Sequence, residues 1–218
     1  MNNDRKTNAM SLLQLNDDAT VLSSGGNRFD PATLTWLPCE DNATNGKPVD
    51  PWPALAWLYA RPDARRVPIA IIGPKEATPE QMVMAEEAGR RLGEIGAPLV
   101  TGGRNGVMEA ACRGHAGAGG QPIGILPGDE WQEANPYVAI PIATGLGPAR
   151  NAVIARAAIA LIAIGGGYGT LSEMALGLHF DRLVVALDSA PDVPGAERFA
   201  TVDEALDRVA AHIFGLRA

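Results

Sequence analysis

The stretch Ile159–Leu178, IALIAIGGGYGTLSEMALGL, decides the fold that this sequence predicts. It begins with the apolar run Ile159–Ile164, and a continuous run of this kind is typical of a parallel strand that is buried on both faces. The glycine-rich segment Gly165–Gly169 follows, and Leu171–Leu178 then favours an amphipathic helix. A glycine loop between a strand and a helix presents backbone N–H groups to anions, of which phosphate is the usual one.

Composition and charge argue against several classes of protein. The chain has 218 residues, of which 46% are hydrophobic, enough for the core of one or two domains. A net charge of −7 without a clustered Lys/Arg run argues against nucleic acid as a partner. Cys39 and Cys112 lie in unrelated segments and the histidines are scattered, so we expect no metal site. Without a signal peptide or an apolar run of about 18 residues, we expect no membrane partner and a cytoplasmic location.

Residues 66–218 alternate between short apolar runs and longer amphipathic patterns. This alternation predicts a Rossmann-like α/β domain, with a doubly wound, mostly parallel sheet and helices on both faces. Thr78-Pro79 predicts the start of one helix, and the spacing of Thr201 and Glu204 predicts a capping box at the start of another. The predicted strands are Ile69–Ile72, Pro98–Thr101, Gln121–Leu126, Val138–Ile142, Ile159–Ile164 and Leu183–Leu187.

Residues 1–65 have a different pattern and are expected to form a separate N-terminal extension. A turn at Gly25-Gly26-Asn27 between Thr20–Ser24 and Thr33–Leu37 predicts a hairpin or two edge strands. The segment Ala54–Tyr59 predicts a short helix, and the polar segment Cys39–Pro53 predicts a loop. Three of the four tryptophans fall in this extension. They either anchor it to the core or form the wall of a ligand pocket or subunit contact.

A second glycine loop, Gly102–Gly106, follows the predicted strand that ends at Thr101. In an open α/β sheet, ligands bind beyond the carboxyl ends of the strands, at the point where the strand order reverses. Both glycine loops follow strands directly, so we expect them to face one crevice and to bind phosphate through backbone N–H groups. The alternative is that the glycines serve only to make tight turns.

The two loops lack the commoner nucleotide-binding fingerprints. Neither contains the lysine that precedes Ser/Thr in a P-loop. The first strand is followed by Gly73-Pro74-Lys75-Glu76, which is not the G-x-G-x-x-G of NAD and FAD enzymes. Pyridoxal phosphate needs a Schiff-base lysine, and of Lys6, Lys47 and Lys75 only Lys75 lies beside a strand end. We therefore expect no organic cofactor.

The segments Val100–Glu109, VTGGRNGVME, and Gly166–Glu173, GGYGTLSE, resemble the LOG family. These proteins are cytokinin riboside 5′-monophosphate phosphoribohydrolases, formerly mislabelled as lysine decarboxylases, and the match is nearest to their molybdenum-cofactor carrier branch. The family signature is P-G-G-x-G-T-x-x-E, and here Gly165 replaces the proline. The spacing of a second family motif, which ends in Arg-Lys, falls on Arg150 and Asn151. The resemblance covers about residues 67–215.

The resemblance implies roles for particular residues. Glu173 corresponds to the catalytic carboxylate, and Arg150 to the cation that holds the phosphate or the departing base. The residues alone leave alternatives, since Glu173 is spaced from Thr170 as a capping box and Arg150 could be solvated or ion-paired. Gly73 and Asn151 are further candidate ligand contacts. The implied phosphate-binding residues are Gly102, Gly103, Arg104, Asn105, Gly166, Gly167, Tyr168, Gly169 and Thr170.

Two functions follow from the resemblance, and in both the chain is expected to form a homodimer or larger homo-oligomer. The first expectation is a hydrolase that cleaves the N-glycosidic bond of a nucleoside 5′-monophosphate to give free base and ribose 5-phosphate. A carboxylate beside the sugar would stabilise the oxocarbenium-like transition state. The alternative is a non-catalytic carrier of a pterin phosphate such as the molybdenum cofactor. The presence of Glu173 and Arg150 favours the hydrolase, whereas Gly165 and Asn151 favour the carrier. Structurally related DNA-processing proteins are disfavoured by the net charge.

Overall fold

The computed structural model describes residues 12–39 and 46–216. By its internal contacts the chain divides into one unit of residues 1–65 with 210–218 and a second unit of residues 66–209. The second unit contains a sheet of seven strands, all parallel, in the order β12-β11-β10-β6-β7-β8-β9. The predicted Rossmann-like fold is therefore confirmed. Its strands are β6 Ile69–Ile72, β7 Leu99–Thr101, β8 Ile123–Leu126, β9 Ile140–Ala143, β10 Ala160–Ile164, β11 Leu183–Leu187 and β12 Glu197–Arg198.

The helices alternate with these strands as the sequence pattern predicts. The strand order runs outward from β6 in one direction and then outward from β10 in the other, so right-handed crossovers place their helices on opposite faces. Thr78 caps α2 in a reciprocal capping box with Gln81, and Thr201 and Glu204 form the predicted box at α6. The helices are α2 Pro79–Glu94, α3 Val107–Gly117, α4 Asn151–Ala157, α5 Tyr168–His179 and α6 Val202–Ile213, with 3-10 helices at Trp131–Glu133 and Gly147–Arg150.

The reversal of strand order lies between β6 and β10, which are neighbours in the sheet although far apart in sequence. Both strands are completely buried, as their continuous apolar sequences predict. Their carboxyl ends open into the segments that begin at Gly73 and Gly165. The fold therefore brings the first-strand loop and the GGYGT loop to one edge of the sheet, at the place where such sheets bind ligands.

The first unit forms a five-stranded antiparallel sheet in the order β4-β3-β2-β1-β5, followed by helix α1, Pro51–Ala60. Its aromatic contacts centre on Phe29, whose ring meets those of Trp36 and Phe214 edge-on at 5.0 Å each. The Trp36 Nε1 also donates a hydrogen bond to the Phe214 carbonyl. The strands are β1 Gln14–Asn16, β2 Leu22–Ser24, β3 Asn27–Asp30, β4 Thr35–Pro38 and β5 Gly46–Pro48.

Two sequence predictions for this unit are wrong. The turn at Gly25-Gly26, where both glycines have positive φ, leads into β3 rather than into the predicted strand Thr33–Leu37. That prediction overlaps β4, one strand later. The predicted loop Cys39–Pro53 contains β5 and the start of α1, while residues 40–45 lie outside the described part of the chain. These strands are only three or four residues long and mostly polar, so the pattern of apolar residues gives little signal for their positions.

Helices α2 and α3 approach each other through glycines. A β-carbon on Gly114 of α3 would overlap the Glu86 carbonyl oxygen of α2, and one on Gly89 would overlap the Ala111 carbonyl oxygen of α3. Backbone atoms cannot move aside as the end of a flexible side chain can. Close packing of these two helices therefore depends on the absence of side chains at both positions.

We expect Gly114→Ala to lower the free energy of unfolding by about 1–3 kcal/mol, because the new methyl group overpacks a backbone contact. Gly117→Ala in the same helix is the matched control, since no atom lies within 4 Å of a β-carbon there. Replacing a helical glycine should leave the control as stable or more stable, by up to about 1 kcal/mol. Urea denaturation of both variants measures the difference, and equal stabilities would contradict the packing argument.

Candidate functional site

A cavity of about 360 Å³ lies at the edge of the sheet where the strand order reverses. Its lining comes from the loop after β6, the first turn of α3, the first two turns of α5, and the junction of the second 3-10 helix with α4. It brings together seven of the residues that the sequence predicts for the site, with four others. The lining residues are Gly73, Pro74, Lys75, Glu76, Met108, Arg150, Asn151, Gly167, Gly169, Thr170 and Glu173.

The two strand ends below the cavity are in direct contact. A β-carbon on Gly73 would lie 2.6 Å from the Ile164 carbonyl oxygen of β10 and from Cγ1 of Val107. The Val107 backbone N–H donates a hydrogen bond of 3.1 Å to the Pro74 carbonyl. Gly73 is thus required by the packing of β6 against β10 and α3, in addition to lining the cavity.

The turn after β10 uses its first two glycines for conformation. Gly165 has φ +57° and Gly166 has φ +138°, a region that side chains other than glycine rarely adopt. The Gln81 amide fills the space where a β-carbon on Gly165 would project, and its Nε2 donates to Asp188 at 2.8 Å. A proline, which requires φ near −65°, does not fit this turn. The departure of Gly165 from the LOG signature therefore has a local structural cause.

A capping box between Thr170 and Glu173 requires Thr170 to be the N-cap of α5, but the helix begins before that residue. Tyr168 is its first residue, Gly167 is the N-cap, and no side chain caps the backbone N–H groups. Glu173 therefore lies beyond the first turn, and its predicted capping box with Thr170 is wrong. The glycine turn alone brings the chain into the helix, which leaves the side chain of Glu173 free to take another partner.

That partner is Arg150, in a pair buried from solvent. The Arg150 Nη1 donates to Oε1 of Glu173 at 2.9 Å and also to Oδ1 of Asn151, and the two charged side chains are 9% and 7% exposed. The Nδ2 of Asn151 donates to Ser172 Oγ at 2.7 Å and to the Gly169 carbonyl at 3.3 Å. Hence the ion-paired alternative for Arg150 is the one observed. Arg150 is the last residue of the 3-10 helix Gly147–Arg150, which leads directly into α4.

Burial dominates the electrostatics of this pair. Removal from water raises the pKa of Glu173 from 4.5 to about 7, although the adjacent Arg150 acts in the opposite direction. The Arg150 Nε is buried and has no hydrogen-bond partner among the described residues. The site therefore combines a carboxyl group that titrates near neutral pH with an unused hydrogen-bond donor.

The second glycine loop contributes less to the cavity than the sequence predicts. Gly102 lies beneath Arg150, because a β-carbon there would overlap Nη2 of the guanidinium. Gly103, with φ +68°, packs on Gly124 and Leu126. The Arg104 side chain pairs with Glu133, and Asn105 is exposed. None of these four predicted phosphate ligands lines the cavity, and neither do Gly166 and Tyr168, the latter 91% exposed.

Sequence reasoning did not assign Lys75, Glu76 and Met108 to the site, although all three line the cavity. The available signal was position, since Lys75 and Glu76 lie in the loop that follows a predicted strand.

Of the histidines, His115 is buried with Nε2 2.9 Å from the Ala97 carbonyl, and burial lowers its pKa. Within residues 12–39 and 46–216, no three His, Cys, Asp or Glu side chains group as metal ligands. The same residues contain no helix long and apolar enough to cross a bilayer.

We expect Glu173 to make the stability of the protein depend on pH. Its folded pKa of about 7 exceeds the ordinary 4.5, so the folded state holds this proton more tightly than the unfolded state. The stabilisation is present below about pH 4.5 and is lost as pH rises through 7. From pH 5 to pH 8, the free energy of unfolding should fall by about 1–3 kcal/mol relative to Glu173→Gln, which cannot titrate. Urea denaturation at both pH values measures this difference, and a rise instead of a fall would show that Arg150 outweighs burial.

Comparison with known proteins finds relatives of this chain both in sequence and among solved structures. An uncharacterized protein of Archaeoglobus fulgidus is 38% identical over 139 residues, which cover 64% of this chain and 91% of that protein. The solved molybdenum cofactor binding protein of Rippkaea orientalis is 34% identical with a TM-score of 0.65, covering 68% of this chain and 98% of that one. The molybdenum cofactor carrier protein of Chlamydomonas reinhardtii is 36% identical with a TM-score of 0.63, covering 69% and 99% respectively.

A family model gives the most direct assignment. The model of the SLOG cluster4 family matches residues 66–211, a range that includes every residue around the cavity. The resemblance to the LOG family and its carrier branch is thereby confirmed, whereas the homo-oligomer that it implied stays a prediction. On the strength of this match over more than half of its length, the chain belongs to the SLOG cluster4 family.

Proposed function

We propose that the protein is a non-catalytic carrier that binds a phosphorylated small molecule of the pterin phosphate class in the cavity beside β6 and β10. The observation that carries the proposal is that Gly167 and Gly169 face open space without a conformational reason to be glycine. Neither has positive φ, and no atom lies within 4 Å of a β-carbon at either position. Gly169 is the second residue of α5, a position that other residues adopt without strain.

Glycines that the turn does not require are explained by close approach of a ligand to the backbone. Both line the cavity, at the N-terminus of a twelve-residue helix whose first N–H groups have no side-chain cap. Such a helix end attracts anions through its N–H groups and its dipole, and phosphate is the anion that fits best. This favours phosphate binding over the alternative that all glycines of the loop serve the turn.

Arg150 also lines the cavity, and its Nε is a buried donor without a hydrogen-bond partner among the described residues. Such a donor costs about 1–3 kcal/mol, so a small shift of the guanidinium that gave it an acceptor on the ligand would favour binding. The pterin class comes from the comparisons, since two solved relatives named for binding or carrying the molybdenum cofactor align over 98% and 99% of their length.

A nucleoside 5′-monophosphate phosphoribohydrolase is the second candidate, and the carboxyl group of Glu173 favours it. A group with pKa near 7 is suited to general acid catalysis at neutral pH, and here it could protonate the departing base while water attacks C1′. The N-glycosidic bond would break, and ribose 5-phosphate and free base would form. Against this candidate, Arg150 donates a hydrogen bond to this carboxyl group and favours its ionised form, which opposes its role as a proton donor.

We expect Gly169→Ala to bind a pterin monophosphate at least about 10-fold more weakly than the wild type, because a methyl group on the cavity wall blocks close approach of the ligand. A loss of about 1.4 kcal/mol in binding free energy corresponds to this tenfold change in affinity. Isothermal titration calorimetry with neopterin monophosphate measures the change. Stability should not fall, because the added methyl group meets no atom within 4 Å. Gly117→Ala is the control for a helical Gly→Ala change outside the cavity. Unchanged affinity in Gly169→Ala would contradict the proposed close approach.

A direct assay separates the two candidate functions. Purified protein is incubated with AMP and with an N6-substituted AMP, and free base is followed by chromatography, with Glu173→Gln in parallel. For a carrier we expect no base release, together with a higher melting temperature in the presence of neopterin monophosphate. Base release by the wild type that disappears in Glu173→Gln would instead establish the phosphoribohydrolase.

A further inference from the structure

We propose that Lys75, in the loop that follows β6, is the cation that binds the ligand's phosphate group in this cavity. This inference rests on the proposed function, because it specifies which group of the chain recognises the phosphate of that ligand. Lys75 directly follows Gly73-Pro74, and Pro74 has no backbone N–H to donate to a ligand.

The charges around the cavity single out Lys75. Four ionisable side chains line it: Lys75, Glu76, Arg150 and Glu173. The two buried ones are paired with each other, so the charge of Arg150 is compensated within the protein. Lys75 is exposed and has no carboxylate within 4 Å among the described residues. It is thus the cation whose charge remains available to a phosphate group entering the cavity.

The backbone beneath Lys75 is fixed, although its side chain is exposed. A β-carbon on Gly106 would overlap the carbonyl oxygens of Pro74 and Lys75, and Val107 donates its N–H to the first of these carbonyls. The segment therefore packs directly on the turn that starts α3. A lysine held at a set backbone position at the mouth of a cavity loses less freedom on binding than one in a mobile loop.

Lys75 and the N-terminus of α5 supply different kinds of interaction to a phosphate group. The start of α5 offers backbone N–H groups at Gly167 and Gly169, which are directional but carry only partial charge. Lys75 lines the same cavity and offers a full charge on a flexible chain with three donors. Lysine beside a glycine-rich helix start is a combination that suits a phosphate group, which needs both charge compensation and several donors.

The experiment compares phosphorylated and unphosphorylated forms of one ligand. Affinities of wild type, Lys75→Met and Lys75→Arg are measured for neopterin monophosphate and for neopterin at two salt concentrations. We expect Lys75→Met to lower the affinity for the phosphate ester about 10-fold, the effect of losing one charge-assisted hydrogen bond, and to leave neopterin binding unchanged. Lys75→Arg should retain the preference for the phosphate ester. In Lys75→Met, the affinity for the ester should also depend less on salt.

Controls keep the result specific. Lys47→Met removes a lysine from β5, outside the cavity lining, and should alter neither affinity. Two results would overturn the role of Lys75 while leaving the proposed function intact. In the first, Lys75→Met binds the phosphate ester as tightly as the wild type. In the second, it loses the same fraction of its affinity for neopterin monophosphate and for neopterin. A wild type that binds neither neopterin monophosphate nor AMP would overturn the proposed function and this inference with it.

Discussion

The buried pair of Arg150 and Glu173 is the constraint on which the rest of the site depends. Two charges taken out of water cost several kcal/mol each, and their attraction recovers this only where geometry and further hydrogen bonds are good. The structure supplies these conditions by leaving Gly102 without a side chain beneath the guanidinium and by holding Asn151 beside it. A buried ion pair adds little net free energy to folding. We therefore attribute a pair that lines a cavity to ligand binding rather than to stability.

The glycines of the site fall into two groups that only the structure separates. Gly165 and Gly166 serve the turn through positive φ, and Gly73 serves packing because the Ile164 carbonyl lies against it. Gly167 and Gly169 serve neither purpose. All of these residues look alike in the sequence, because one letter records the absence of a side chain without recording what occupies the space. A glycine motif therefore predicts where a ligand site lies more reliably than it predicts which residues touch the ligand.

The sequence predicts the second unit well because local signals determine it. Apolar runs such as Ile159–Ile164 mark buried strands, and Thr78 or Thr201 marks the start of a helix. The errors occur where the local pattern is weak or where a distant partner decides. The strands of the first unit are short and mostly polar, and the two residues of β12 become a strand only beside β11. The capping-box alternative for Glu173 is not observed, because its partner Arg150 comes from a different helix.

Of the two departures from the LOG motifs, Gly165 and Asn151, only Asn151 lines the cavity. The family motif has lysine where this chain has Asn151, whose amide instead joins Ser172 and the Gly169 carbonyl to the start of α5. The family's second cation is thereby absent beside Arg150, while Lys75, in the loop after β6, lines the same cavity. Under the proposed carrier function, this exchange suits a protein that holds its ligand without acting on it, because catalysis by Glu173 would require the phosphate to be held where it positions the sugar beside that carboxyl group.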